Sequence, residues 1–179
     1  LIKHLEKLKQ QGYIGVAYVE TSVSMAGWGV AWACHHLGLK CMIFNPVYKN
    51  TPPLLEFHRQ QWEMWGAELI DVPAGRAKVN FHIAKKQVPE GYKLLPLGLP
   101  LPETLEETVK IAKEVVPDFP TIVISTGSGT ITAGVWMATE PKQIVYGVMT
   151  RSGDIKQKRK HIKNNPLALR ELFQMNRGQ

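Results

Sequence analysis

Apolar residues along this chain follow two rhythms that alternate. In some stretches they recur every three or four positions, as on one face of a helix; in others they run together for four to six residues rich in β-branched side chains. Read in order, the pattern predicts helix Ile2 to Gln11, strand Ile14 to Val19, and helix Met25 to Leu37 closed by Gly38 as its C-cap. Strand Lys40 to Phe44 follows, ended by Asn45-Pro46. Thr51-Pro52-Pro53 then opens a helix that runs to Trp65, with proline tolerated in the first turn. Strand Glu68 to Val72 and helix Arg76 to Gln87 come next, broken by Pro89 and Gly91. The apolar, proline-rich stretch Leu94 to Pro102 reads as a stiff crossing. Beyond it, Thr104 and Glu107 have capping-box spacing for a helix through Val116. A buried strand, Thr121 to Ile124, a glycine-rich turn, a helix and a last strand, Ile144 to Met149, complete the pattern. Repeated β-α-β units give an α/β fold of parallel, helix-covered sheets, three layers (αβα) of the doubly wound kind. Two lobes are expected, a small N-terminal αβα lobe over 1–95 and a second lobe over 96–179.

Candidate chemistry sits where parallel sheets place it, in the turns beyond the carboxyl ends of strands. After Ile124 the turn is Ser125-Thr126-Gly127-Ser128-Gly129-Thr130, and a helix begins at once with Ile131, Gly134, Val135 and Ala138 on its apolar side. The glycines let backbone N–H groups converge, and the helix start adds unpaired donors and a positive dipole end. Thr126, Gly127, Ser128, Gly129 and Thr130 are therefore the candidate phosphate cradle. No lysine follows the second glycine, so the turn is not a Walker A loop, and no third glycine makes a dinucleotide fingerprint. A phosphate monoester fits better than a pyrophosphate. The same turn also serves where glycines only let a helix pack closely on a sheet. After Val19, the turn Glu20-Thr21-Ser22-Val23-Ser24-Met25-Ala26-Gly27 enters another helix. Hydroxyls on Thr21, Ser22 and Ser24 beside a helix start suit a carboxylate, or they serve as ordinary helix caps.

Composition changes little. The chain has 179 residues and 44% hydrophobic content, enough for one full domain or two small lobes. No apolar run reaches the length of a membrane span and no signal peptide opens the sequence, which begins at Leu1 already inside a helical pattern. Cys34 and Cys41 form no CxxC or zinc spacing, and the six histidines form no HExxH, so reduced, buried thiols in a cytoplasmic protein without a metal are expected. The net charge is +7, of which +5 lies between Arg151 and Lys163. No aromatic residue interleaves that run, so a solvated connector is the expectation rather than a nucleic-acid surface.

Taken together, these residues resemble the fold type II pyridoxal-phosphate (PLP) enzymes, the tryptophan synthase β superfamily, and within it the aminocyclopropane-carboxylate deaminase and D-cysteine desulfhydrase branch. Thr126-Gly127-Ser128-Gly129-Thr130 with Gly134 is similar to that branch's phosphate loop, one glycine shorter. Ser24 to Ala33, with Leu37-Gly38-Leu39-Lys40 behind it, is similar to the superfamily's earlier Ser-x-Gly-Asn-x-Gly loop. The likeness covers most of residues 1 to 150. It implies pyridoxal 5'-phosphate held by residues 126–130, a small amino acid whose carboxylate meets Thr21, Ser22 and Ser24, and lyase or deaminase chemistry through an aldimine. A homodimer is common in the family. The family's cofactor-contacting Asn falls on Gly27, or on Met25 in a shifted register, and neither supplies its hydrogen bond. Its Schiff-base lysine is expected upstream of Leu1; Lys3 is the nearest lysine here and lies a turn too far into the helix. The contact to the cofactor's ring nitrogen is expected beyond Gln179. The chain thus reads as truncated at both ends, with residues 96–179 a partial cofactor-phosphate lobe. Two alternatives stay open: a catalytically inactive relative that binds a phosphate ligand, and a phosphoribosyltransferase, whose loop would ordinarily carry acidic residues that Thr121 to Ser125 lacks.

Overall fold

The computed structural model describes residues 1–21 and 24–149. It divides into two compact units, Leu1–Leu99 and the chain from Pro100 onward. The basic run 151–163 lies outside the described residues.

The first unit is built on a four-stranded parallel sheet: β1 (Gly15–Val19), β2 (Lys40–Val47), β3 (Ala67–Pro73) and β4 (Tyr92–Leu94), in spatial order β3-β2-β1-β4. Helices α1 (Ile2–Gln10), α2 (Ala26–Leu37), α3 (Pro53–Met64) and α4 (Ala77–Gln87) alternate with the strands. The strand order dictates the layers. Connections β1-α2-β2 and β2-α3-β3 step the same way across the sheet, whereas β3-α4-β4 steps back past β1. Right-handed crossovers therefore put α2 and α3 on one face and α4 on the other. Ala84 of α4 packs in a core with Ala17, Val19, Met42, Phe44 and Val72, which alternate onto that face. With both faces covered, every residue of β1 is buried.

Element boundaries shift where backbone chemistry decides. The C-cap at Gly38 is as expected, with φ of 64°. Strand β2 does not stop at Asn45-Pro46 but runs to Val47, because Asn45, Pro46 and Val47 pair with Asp71, Val72 and Pro73 of β3; β1 has already ended, with Val19 opposite Phe44 and Glu20 N–H donating to Phe44 O. Pro46 then lacks its donor on a side with no strand beside it. Strand β4, only three residues long, carries too little pattern to be read from sequence. Leu95 N–H continues its pairing by donating to Ala17 O at 2.8 Å.

In the second unit, α5 (Pro102–Val115) and a short 3-10 turn (Val116–Asp118) lead to β5 (Thr121–Thr126), α6 (Thr130–Met137) and β6 (Ile144–Met149). Strands β5 and β6 pair in parallel. The expected capping box at Thr104 is not what starts α5. Leu101 is the N-cap, Pro102 opens the first turn with its fixed φ, and Thr104 lies inside the helix with its hydroxyl buried. β5 is also less buried than its β-branched run predicts. Thr121, Val123 and Ser125 are exposed, and only the alternate positions turn inward. Among the described residues, no helix is long and apolar enough to cross a membrane.

Candidate functional site

Strand β5 delivers the chain to Thr126, and after three intervening residues α6 begins at Thr130. Gly129 makes this tight turn feasible: it is the N-cap of α6 with φ of 93°, a conformation that strains a side chain carrying Cβ. The first intrahelical bond runs from Ala133 N–H to Gly129 O at 2.9 Å, so the amides of the preceding turn point out of the helix end. A Cβ built on Gly127 or Gly129 would meet nothing within 4 Å, which leaves open space over the turn. The hydroxyls are ordered beside it. Ser128 Oγ lies 3.2 Å from Thr130 Oγ1 and accepts from Thr130 N–H at 3.4 Å. Thr126 Oγ1 and Thr132 Oγ1 are 2.9 Å apart and tie the end of β5 to the first turn of α6. Thr126, Gly127, Ser128, Gly129 and Thr130 thus form one turn with helix amides, hydroxyls and free volume together. That donor set fits a dianionic phosphate.

The turn after β1 is organised by a residue that sequence reading passed over. Glu20 is 1% exposed, and its carboxylate accepts from Thr21 N–H at 2.8 Å and from Gly27 N–H. Burial pushes this carboxyl up to about 7, against the lowering effect of the Thr21 and Gly27 amides and the Ser24 hydroxyl. The adjacent Tyr18 phenol is raised too, by burial first and by the Glu20 charge second. Thr21 is half-buried. Ser24 Oγ accepts from Ala26 N–H at 3.1 Å, so it caps the start of α2. Ser22 lies outside the described residues. Gly27, one of the two positions aligned with the family's Asn, faces inward: a Cβ there would sit 2.6 Å from a Glu20 oxygen and 3.1 Å from Trp62 Nε1. Met25, the other, is 61% exposed at the N-cap of α2.

Glu20 is part of a polar row on the α2–α3 face of the sheet. Asn45 follows it in register on β2 and donates to Asp71 of β3 at 3.0 Å, and Arg59 of α3 pairs with Asp71 at 3.5 Å. The row lies at the carboxyl ends of the strands. Ligands of parallel α/β sheets bind there. Elsewhere in this unit, Cys34 and Cys41 are buried thiols hydrogen-bonded to each other, which raises the Cys41 thiol above its ordinary value.

In this parallel α/β chain the glycine-hydroxyl turn at a helix start is open above, lacks nucleotide-loop signatures and has donors that suit a small phosphorylated ligand. The family follows from comparison: residues 1–168 match the model of the pyridoxal-phosphate dependent enzymes, and the chain belongs to that family. It is 34% identical over 159 residues to a glycyl-dTMP PLP-dependent decarboxylase of Pseudomonas phage M6, covering 82% of this chain and 56% of that protein. Among solved structures it resembles an aminocyclopropane-carboxylate deaminase homologue, with TM-score 0.68, 20% identity, and coverage of 92% of this chain and 55% of that one. It also resembles a pyridoxal 5'-phosphate-dependent aspartate racemase, with TM-score 0.64, 23% identity, and coverage of 90% and 48%. The chain therefore spans about half the length of the proteins it matches. The family's cofactor is pyridoxal phosphate, and the 126–130 turn suits its phosphate. The family match leaves the phosphoribosyltransferase alternative without support.

Proposed function

We propose that this chain carries the phosphate-holding and substrate-holding segments of a PLP-dependent lyase or deaminase that acts on a small amino acid. The observation that carries the reading is the 126–130 turn: Gly129 at φ of 93°, the outward amides of α6 and open space above, in a chain of this family. Gly127 and Gly129 admit the phosphate close to the backbone. The Ser128 and Thr130 hydroxyls donate to its oxygens, and the dipole of α6 offsets its charge. When bound, the cofactor supplies a sink for the electron pair left as a bond breaks at the amino-bearing carbon. The substrate carboxylate is held by the segment after β1 that carries Thr21, Ser22 and Ser24. The phage relative's name supports a particular branch, loss of carboxylate from a glycyl group borne on a nucleotide. A homodimer and a cytoplasmic location belong to the same proposal.

Titration with pyridoxal phosphate, read by absorbance and followed by borohydride reduction and peptide mapping, tests it. Saturable binding that inorganic phosphate displaces, weakened about tenfold in Ser128→Ala by loss of one charge-assisted hydrogen bond, is the expected result. Binding unchanged by that substitution overturns the phosphate assignment. Displaceable binding with no lysine fixed by borohydride upholds the phosphate assignment and removes Lys3 as the Schiff-base lysine.

A further inference from the structure

Helix α2 turns its small residues inward and its large ones outward. Gly27, Val30, Ala31, Ala33 and Cys34 are buried, whereas Trp32, His35 and His36 are exposed and Trp28 is half-buried. Helix α3 adds Phe57, 46% exposed, and Trp65 at its C-cap. The rings meet across the two helices. Trp28 and Phe57 lie edge to face with centroids 5.9 Å apart, and Trp65 is 5.3 Å from His35 and 5.6 Å from His36. Trp32 and His36 are 4.2 Å apart, tilted by 36°, and His36 Nδ1 donates to Trp32 O at 2.8 Å, which fixes the imidazole against the indole. The small inner residues already pack α2 into the unit, so this outer aromatic surface serves something other than the fold. Contiguous exposed patches of this kind mark interaction sites.

Ring spacing and charge select the occupant. Trp28, Trp32 and His36 follow one another at four-residue steps, about 6 Å apart along the helix axis. That pitch exceeds the roughly 3.4 Å between bases of a duplex strand and suits bases splayed from a single strand. Helix α2 carries no acidic residue. Its carboxyl end lies beside two lysines: Lys9 Nζ donates to Leu37 O at 2.6 Å and keeps its other N–H donors, and Lys40 is exposed at the start of β2. Aromatic rings flanked by ammonium groups are what a single-strand binding surface needs, the rings for the bases and the charges for the phosphates.

We propose that Trp28, Trp32, His36, Phe57 and Trp65 form a stacking platform for the bases of a single-stranded nucleic acid. The inference rests on the nucleotide-borne branch of the proposed function and extends it: the nucleotide belongs to a polynucleotide, and the strand is held by rings on α2 and α3.

Fluorescence anisotropy of a labelled oligothymidylate of about twelve nucleotides, titrated with the full chain, tests this. Wild type should bind it with a log–log salt slope of about −1.4, the value for two phosphate contacts on a single strand. Trp32→Ala should weaken binding about tenfold, the loss of one stacked base, and Trp32→Phe, which keeps a ring, should restore most of it. Phe57→Ala should weaken binding in the same way from the other helix, and it carries the test if Trp32→Ala does not fold. Uptake of pyridoxal phosphate, read by absorbance on the same samples, should be equal in wild type and variants, because the 126–130 turn is untouched. Equal oligothymidylate affinity in wild type, Trp32→Ala and Phe57→Ala overturns the platform, and a steeper salt slope alongside it assigns the nucleic acid to the basic residues 151–163. No oligothymidylate binding by wild type, with a dimer that dissociates in Trp32→Ala on sedimentation, overturns it in favour of a second copy of the chain. Ring-dependent binding by a chain that takes up no pyridoxal phosphate upholds the platform and removes the enzyme reading.

Discussion

Two residues set the local geometry of the two turns, and each makes a measurable promise. Glu20 is a carboxyl whose folded-state pKa, about 7, lies above its ordinary 4.5. A raised carboxyl contributes stability that is complete below the unfolded value and is lost as pH rises through the folded one. Its share, about 3 kcal/mol from the shift, should therefore disappear between pH 4.5 and 7. Chemical denaturation across that window should show wild type losing stability relative to Glu20→Gln, which carries no such slope. A parallel pH dependence in the two proteins refutes it. Gly129 makes the other promise. With φ of 93°, Gly129→Val forces a β-branched residue into the left-handed region at a cost of roughly 1–3 kcal/mol. Weaker binding of pyridoxal phosphate should accompany the lower melting temperature. Residues 126 to 130 were legible in the sequence because glycine and hydroxyl spacing encodes a turn locally. Glu20 was not: a lone acid after an apolar strand looks solvated, and its role depends on Gly27 and on Trp62, which no local pattern links to it.

At the scale of elements, periodicity located all seven helices and strands of the first unit that precede β4. It failed where a neighbour or a proline decides. The start of α5 moved to Pro102 because a ring that fixes φ and needs no N–H partner outweighs a Thr side chain two residues later. The burial of β5 was overread because a β-branched run predicts a strand but not how many faces are covered. Packing of α5 on α6 depends on Gly134, where a Cβ would lie 2.6 Å from Thr108 Cβ. Gly134→Ala gains helix propensity, but it must push the helices apart. A net loss of about 1–3 kcal/mol is expected, read as a lower denaturant midpoint for the second unit. An unchanged or raised midpoint would mean the two helices separate without cost.

At the scale of the whole molecule, the alternation of strands and helices was legible as an α/β fold with parallel sheets, since period and length survive without tertiary detail. What the chain leaves uncovered was not. Along β5 and β6, Val123 is 67% exposed, Tyr146 56%, Val148 54% and Ile144 50%, and the parallel register places them on one face. An apolar face of this kind binds hydrophobic dyes and promotes association. Val123→Thr with Val148→Thr should reduce dye fluorescence and light scattering while leaving the melting temperature nearly unchanged. Equal scattering in the two proteins would show that another surface governs association.

Pro46 has a consequence for the inner side of the sheet. Where β1 stops, β2 runs on through Asn45 and Pro46, both buried. An N–H at position 46 would be a buried donor on a side with no strand to receive it, and proline has none to leave unpaired. Pro46→Val would bury that donor, and its cost should be read as a lower melting temperature.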